Sequence, residues 1–162
     1  DYIGRCLITS DTVNATFYQD NLDTYLGQLD SLHMEVKAQI NTISEDQRVL
    51  ITAHDAFGYF GEAYNIEVKG LQGISTLSEY GLKDVSELVN FIISRNIKAV
   101  FVETSVSEKA ITAVVEGCKQ NGFEVKIGGN LYSDAMGPKE TPEGTYLGMV
   151  KANTQTIVEA LK

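Results

Sequence analysis

Positive charge is what this sequence is short of. Its 13 Lys and Arg residues stand against 22 Asp and Glu, giving a net charge of −9. Nucleic acids and anionic membrane surfaces are polyanions, so neither is expected as the main partner. The acidity is compatible with a cation ligand, although most acidic proteins bind none. Cysteine is almost absent. Cys6 and Cys118 lie far apart and form no CxxC, so neither a zinc ribbon nor a redox motif is suggested, and both are expected as unpaired, partly buried thiols. No run reaches the roughly 18 apolar residues of a membrane span, and no signal peptide is visible. The first ten residues mix polar and apolar types and open without a cap. They read as a cut inside a larger protein, in which case missing targeting says nothing about location.

What is present is ordinary in bulk and distinctive in order. Apolar residues make up 43% and charged residues 22% of 162 positions, enough for one well-packed core. Between residues 12 and 43, apolar side chains fall at Tyr18, Leu22, Tyr25, Leu29, Leu32, Val36, Ile40 and Ile43. Steps of three and four make one helical stripe, with Asp11 or Thr12 able to cap it and no proline to break it. A helix of that extent is about 48 Å long. A lobe of ~110 residues has a radius of gyration of only ~13 Å, so the helix is expected to project beyond its own lobe. Such a helix also offers a surface for self-association.

Strand and helix patterns then alternate. Strands are expected at 48–53 (RVLITA), 66–71, 98–103 (KAVFVE) and 124–127, and helices at 55–64, 83–95, 107–120 and 145–161. A loop rich in glycine and proline is expected at 128–144. The fold class is therefore α/β: a four-stranded parallel sheet flanked by helices, preceded by one long helix. The expected organisation is a remnant at 1–10, a connecting helix at 11–44 and an α/β lobe at 45–162.

In open α/β sheets, ligands bind beyond the carboxyl ends of the strands. That edge should carry His54 and Asp55, the glycine-rich 70–73 segment, Glu103 and Thr104, and the NLYSDAMG stretch with Asp134. Imidazole with carboxylate suits zinc, manganese or iron. Each of these residues could equally serve as a cap at a strand–helix junction, and Glu103 could serve a helix N-terminus or a nearby N–H. His33, on the long helix, reads as a surface or semi-buried residue. Glu140 and Glu143 read as solvated. The sequence has no GxGxxG after the first strand, no GxxxxGK[ST] and no GxSxG, which removes the main support for dinucleotide, nucleotide and hydrolase readings. Ser10, Ser75 and Ser133 are nucleophiles only by type, with no base beside them. No enzymatic activity is expected.

The run ITAHDAFGYF at 51–60, followed by GEAYNIEVKGLQGIST, resembles the C-terminal lobe of the manganese- and zinc-binding solute receptors of ABC importers, the TroA-type or cluster A-I family. The similarity continues through KAVFVETSVSEKAI, IGGNLYSDAMG and EGTYLGMVKANTQTIVEAL, and NATFYQDNLDTYLGQLDSL looks like the start of that family's interlobe helix. The resemblance implies one lobe of a two-lobe receptor, with metal held between the lobes. His54 and Asp134 match the metal ligands of this lobe, and Glu103 matches a recurring acidic residue that orients the site. Two further histidines would come from an N-terminal lobe that this chain does not include, so the chain alone is expected to hold metal weakly or not at all. The implied cargo is zinc or manganese, with iron tolerated, and the implied partner is a membrane ABC permease. The implied location is extracytoplasmic, in a periplasm or lipid-anchored at the cell surface. A surface adhesin of the same fold is the alternative.

Overall fold

A computed structural model describes residues 1–72 and 81–162. Ser75 and the last residue of the 70–73 segment lie outside the described residues. The chain divides into two compact units, Asp1–Val36 and Lys37–Lys162, the division falling within one helix.

In the first unit, helix α1 (Tyr2–Ser10) is followed by a 3-10 turn (Thr12–Asn14) and helix α2 (Ala15–Ile40). The uninterrupted helix expected from residue 12 therefore starts as a tighter turn. Asp11 is the reason: its carboxylate accepts from the Asn14 N–H and Nδ2 and from the Tyr18 hydroxyl. The Asn14 side-chain bond, more than any other contact, holds the Asp11 carboxyl below its ordinary range. At the other end α2 stops at Ile40 and the chain tightens, the Ile43 N–H bonding the Ile40 carbonyl. The apolar stripe changes character along α2. Phe17 and Tyr25 are exposed, Leu22 is half-buried, and Leu32, Val36 and Ile40 are buried. No residue of α1 is buried. Leu22 is partly covered because α1 comes close at Gly4, where a Cβ would lie 2.7 Å from a Leu22 methyl.

The second unit alternates as expected. Strand β1 (Val49–His54) leads to α3 (Gly58–Tyr64) and β2 (Glu67–Gln72), then α4 (Leu82–Arg95), β3 (Ala99–Glu103), α5 (Lys109–Gln120), β4 (Lys126–Leu131) and α6 (Tyr146–Leu161). All eleven residues of β1 and β3 are buried, which matches their largely apolar sequences. Leu88, Val89 and Ile92 of α4, and Ala110, Ile111, Val114 and Cys118 of α5, pack into the same core as Val49, Ile51, Val100 and Val102. Each fully buried aliphatic side chain there contributes about 1.5–3 kcal/mol. α3 and α4 both end on an asparagine in the left-handed conformation, Asn65 and Asn96.

One expectation is met only in part, and one is corrected. The strands form two parallel pairs, β1 with β2 and β3 with β4, rather than one continuous four-stranded ladder. At the carboxyl edge, a side chain links β1 to β3: the His54 N–H donates to the Glu103 carboxylate at 3.0 Å. The fourth strand also runs on to Leu131, through residues expected as loop. It does so by a bulge, since Val100 pairs with Ile127 and Phe101 with Gly129, leaving Gly128 over. Side chains are excluded at both glycines by α6. A Cβ on Gly128 would lie 2.6 Å from the Ala160 Cβ, and one on Gly129, where φ is +150°, 2.5 Å from the Thr156 methyl. The glycines signal close helix approach rather than a loop. No helix among the described residues is long and apolar enough to cross a membrane.

Candidate metal centre

β1 and β3 end side by side in function: His54 is the last residue of one and Glu103 the last of the other. Both are almost fully buried, each 3% exposed. Charged and polar groups in such a place must find partners, because desolvation is otherwise uncompensated. They find them in each other. One Glu103 oxygen accepts the His54 backbone N–H, and the other lies 2.7 Å from His54 Nδ1. That Nδ1 and that oxygen make no hydrogen bond to any other described residue, so this close ion-pair contact is what each has. The His54 carbonyl accepts from the buried Thr52 hydroxyl at 2.8 Å and from the Ala56 N–H at 3.1 Å. With backbone and Nδ1 both engaged, the imidazole is left one outward atom, Nε2.

Asp134 faces that atom. Its carboxylate lies 3.5 Å from His54 Nε2, on a side chain that is 56% exposed. It sits on the loop after β4, which is held at two points. The Tyr132 backbone is bonded by the Asn153 amide of α6, and the Ser133 hydroxyl lies 2.6 Å from that of Ser105, in the loop after β3. The three residues singled out in the sequence are thus brought together. Ser133 is engaged with a neighbouring hydroxyl, that of Ser105. Ser10 is exposed at the end of α1, and His33 is exposed on α2 in the first unit.

His54 and Asp134 open onto a cavity of about 460 Å³, also lined by Asp55, Tyr59, Glu62 and Ser133. Sequence reasoning missed Tyr59 and Glu62, whose only signal is their place in the first turns of α3, directly after the strand-end histidine. Asn153 was missed too. Among the described residues no group of three or more His, Cys, Asp or Glu side chains is arranged to hold a metal ion. The site in this unit is a pair of donors, one nitrogen and one carboxylate, with a buried carboxylate behind the nitrogen. An imidazole whose second nitrogen is held by a carboxylate is oriented and made more basic toward a cation, and such an N,O pair suits borderline divalent metals.

Comparison with known proteins agrees with this chemistry. The family described as zinc-uptake complex component A, periplasmic (ZnuA), matches residues 1–160. A manganese-binding lipoprotein, MntA of Bacillus subtilis, is 56% identical over 149 residues, which are 92% of this chain and 49% of the relative. The zinc-binding protein TroA of Treponema pallidum is 47% identical over 144 residues, 89% of this chain and 47% of the relative. A solved structure of the periplasmic zinc-binding TroA of Treponema pallidum superposes with a TM-score of 0.95 at 43% identity, over 99% of this chain and 58% of that one. The chain spans about half the length of the curated relatives it matches. With a family match across nearly every residue and a relative well above the level at which folds diverge, this chain belongs to the ZnuA family.

Proposed function

We propose that this chain is one lobe of a two-lobe, extracytoplasmic solute receptor that captures zinc or manganese for a membrane ABC importer. His54 Nε2 and the Asp134 carboxylate are the ligands of this lobe, and Glu103 orients His54. The observation that carries the reading is the separation of the two donor atoms, 3.5 Å. Bonds of ~2.0–2.2 Å at a tetrahedral angle place two donors roughly 3.4 Å apart, so a metal can bridge the pair with little rearrangement. The remaining ligands, two histidines, come from a second lobe. Its existence is supported by the relatives, which are about twice as long as the matched region. Residues 11–44 act as the interlobe helix and 45–162 as the metal-receptor lobe, with 1–10 as the end of the element before the helix. β1 and β3 are neighbours, so the two strand pairs act as one four-stranded platform; the His54–Glu103 link supports this.

The receptor binds and hands over its cargo without chemistry on it. Zinc and manganese are both named among the relatives, and iron fits the same donor set. The family match gives the adhesin alternative no support, and it is set aside. The test is a competition titration of zinc and manganese against a chelating dye in the two-lobed protein. His54→Ala and Asp134→Ala should each weaken both metals by at least about 10-fold, while His33→Ala leaves both unchanged. His54→Glu should lower the ratio of zinc to manganese affinity, because a harder oxygen replaces a borderline nitrogen. Loss of metal in His33→Ala with full binding in His54→Ala would refute the assignment.

A further inference from the structure

Asp134 is the exposed member of the donor pair, and a carboxylate on a loop is only as well placed as the backbone that carries it. We propose that Asn153 is a positioning residue for metal binding, acting through the backbone of Tyr132 to set the place of Asp134. The inference rests on the reading of Asp134 as a ligand.

Asn153 lies within α6, one helical turn before Ile157 and two before Leu161, both of which are fully buried. It shares their stripe and is itself 5% exposed. An amide in an apolar stripe costs free energy unless its polar atoms are satisfied. Here they are spent on one residue. Asn153 Oδ1 accepts the Tyr132 N–H at 2.9 Å, and Asn153 Nδ2 donates to the Tyr132 carbonyl at 2.8 Å. A side-chain amide offers the same donor and acceptor as a peptide group, so this reciprocal pair is the one a neighbouring strand would make. β4 ends at Leu131, whose carbonyl accepts the Thr104 N–H at 3.0 Å. The Asn153 amide therefore extends the ordered edge by one residue on the opposite side. The clamp is possible because α6 rides directly on the bare backbone at Gly128 and Gly129. From Tyr132 only one residue, Ser133, intervenes before Asp134, and its hydroxyl is held to Ser105. An error at Tyr132 passes to the ligand with little room to be absorbed.

A positioning role and a merely structural one differ in what they depend on. Zinc affinity of the full-length two-lobed protein, measured by competition with a chelating dye, should fall about 10- to 100-fold in Asn153→Leu, the range for lost outer partners of metal ligands. In an Asp134→Ala background the same substitution should cost less than about 2-fold, since the ligand it places is gone. An equal loss in both backgrounds, or none in Asn153→Leu alone, overturns the proposal. If Asp134→Ala leaves zinc binding unchanged, the ligand reading fails and the clamp with it. If Asp134→Ala weakens zinc but Asn153→Leu does not, the clamp alone is wrong. Should Asn153→Leu not fold, Asn153→Ser keeps at most one of the two bonds and carries the same cycle with the same outcomes.

Discussion

The two sides of the candidate metal centre are made of different material. On one side His54 and Glu103 are core residues, sealed at the ends of two fully buried strands and holding one another through two contacts. On the other, Asp134 stands more than half exposed on a loop tied down by an amide and a pair of hydroxyls. The difference separates two properties that are usually entangled. The buried side contributes to folding whether or not metal is present. The exposed side has little to do with folding, and under the proposed function its placement matters to the cation.

The largest effect that could break this contrast is expected at Glu103. Glu103→Ala strands the His54 N–H and Nδ1 in a dry interior, and should destabilise this chain by about 3 kcal/mol in urea unfolding. Glu103→Gln keeps an acceptor for the N–H and should cost about 1 kcal/mol. A Glu103→Ala variant as stable as the parent would mean the pair is not a structural unit. The counterpart on the exposed side is Asp134→Ala. Its unfolding free energy should stay within about 0.5 kcal/mol of the parent, as for surface substitutions generally, even though metal binding is impaired. A large stability loss there would erase the distinction.

Those two sides were not equally legible in the sequence. His54 and Glu103 could be found because apolar strands end on them, although a cap at a strand–helix junction would look the same in sequence. Asp134 was visible through its motif, but its closeness to His54 depends on where β4 ends. That end was misplaced: Gly128 and Gly129 read as loop, because a glycine that admits a packed helix looks the same in sequence as one that makes a turn. Asn153 was missed for a related reason. A lone asparagine within a helix reads as surface, and only its spacing of four from Ile157 places it on the buried stripe. The alternation of strands and helices was legible throughout, whereas the division of the strands into two parallel pairs was not, since ladders depend on backbone register rather than on side-chain pattern.

A smaller effect sharpens the same contrast between sealed and open positions. Cys118 is buried on α5, and burial pushes its thiol up; Cys6 is exposed on α1. Maleimide at neutral pH should label Cys6 within minutes and leave Cys118 unmodified until denaturant is added, as intact-mass measurement would read, because the thiolate is the reactive form and Cys118 is both protected and disfavoured as thiolate. Rapid labelling at both positions would show that the core around α5 opens more readily than its packing implies.

The central claim is that a divalent metal sits between His54 Nε2 and the Asp134 carboxylate. It is tested most directly by soaking crystals of the two-lobed protein in zinc and collecting data at the zinc absorption edge. The account predicts an anomalous peak about 2.0–2.2 Å from both donor atoms, with Glu103 still against His54 Nδ1 and outside bonding distance of the metal. A peak that touches neither atom, or one bound directly by Glu103, would contradict it.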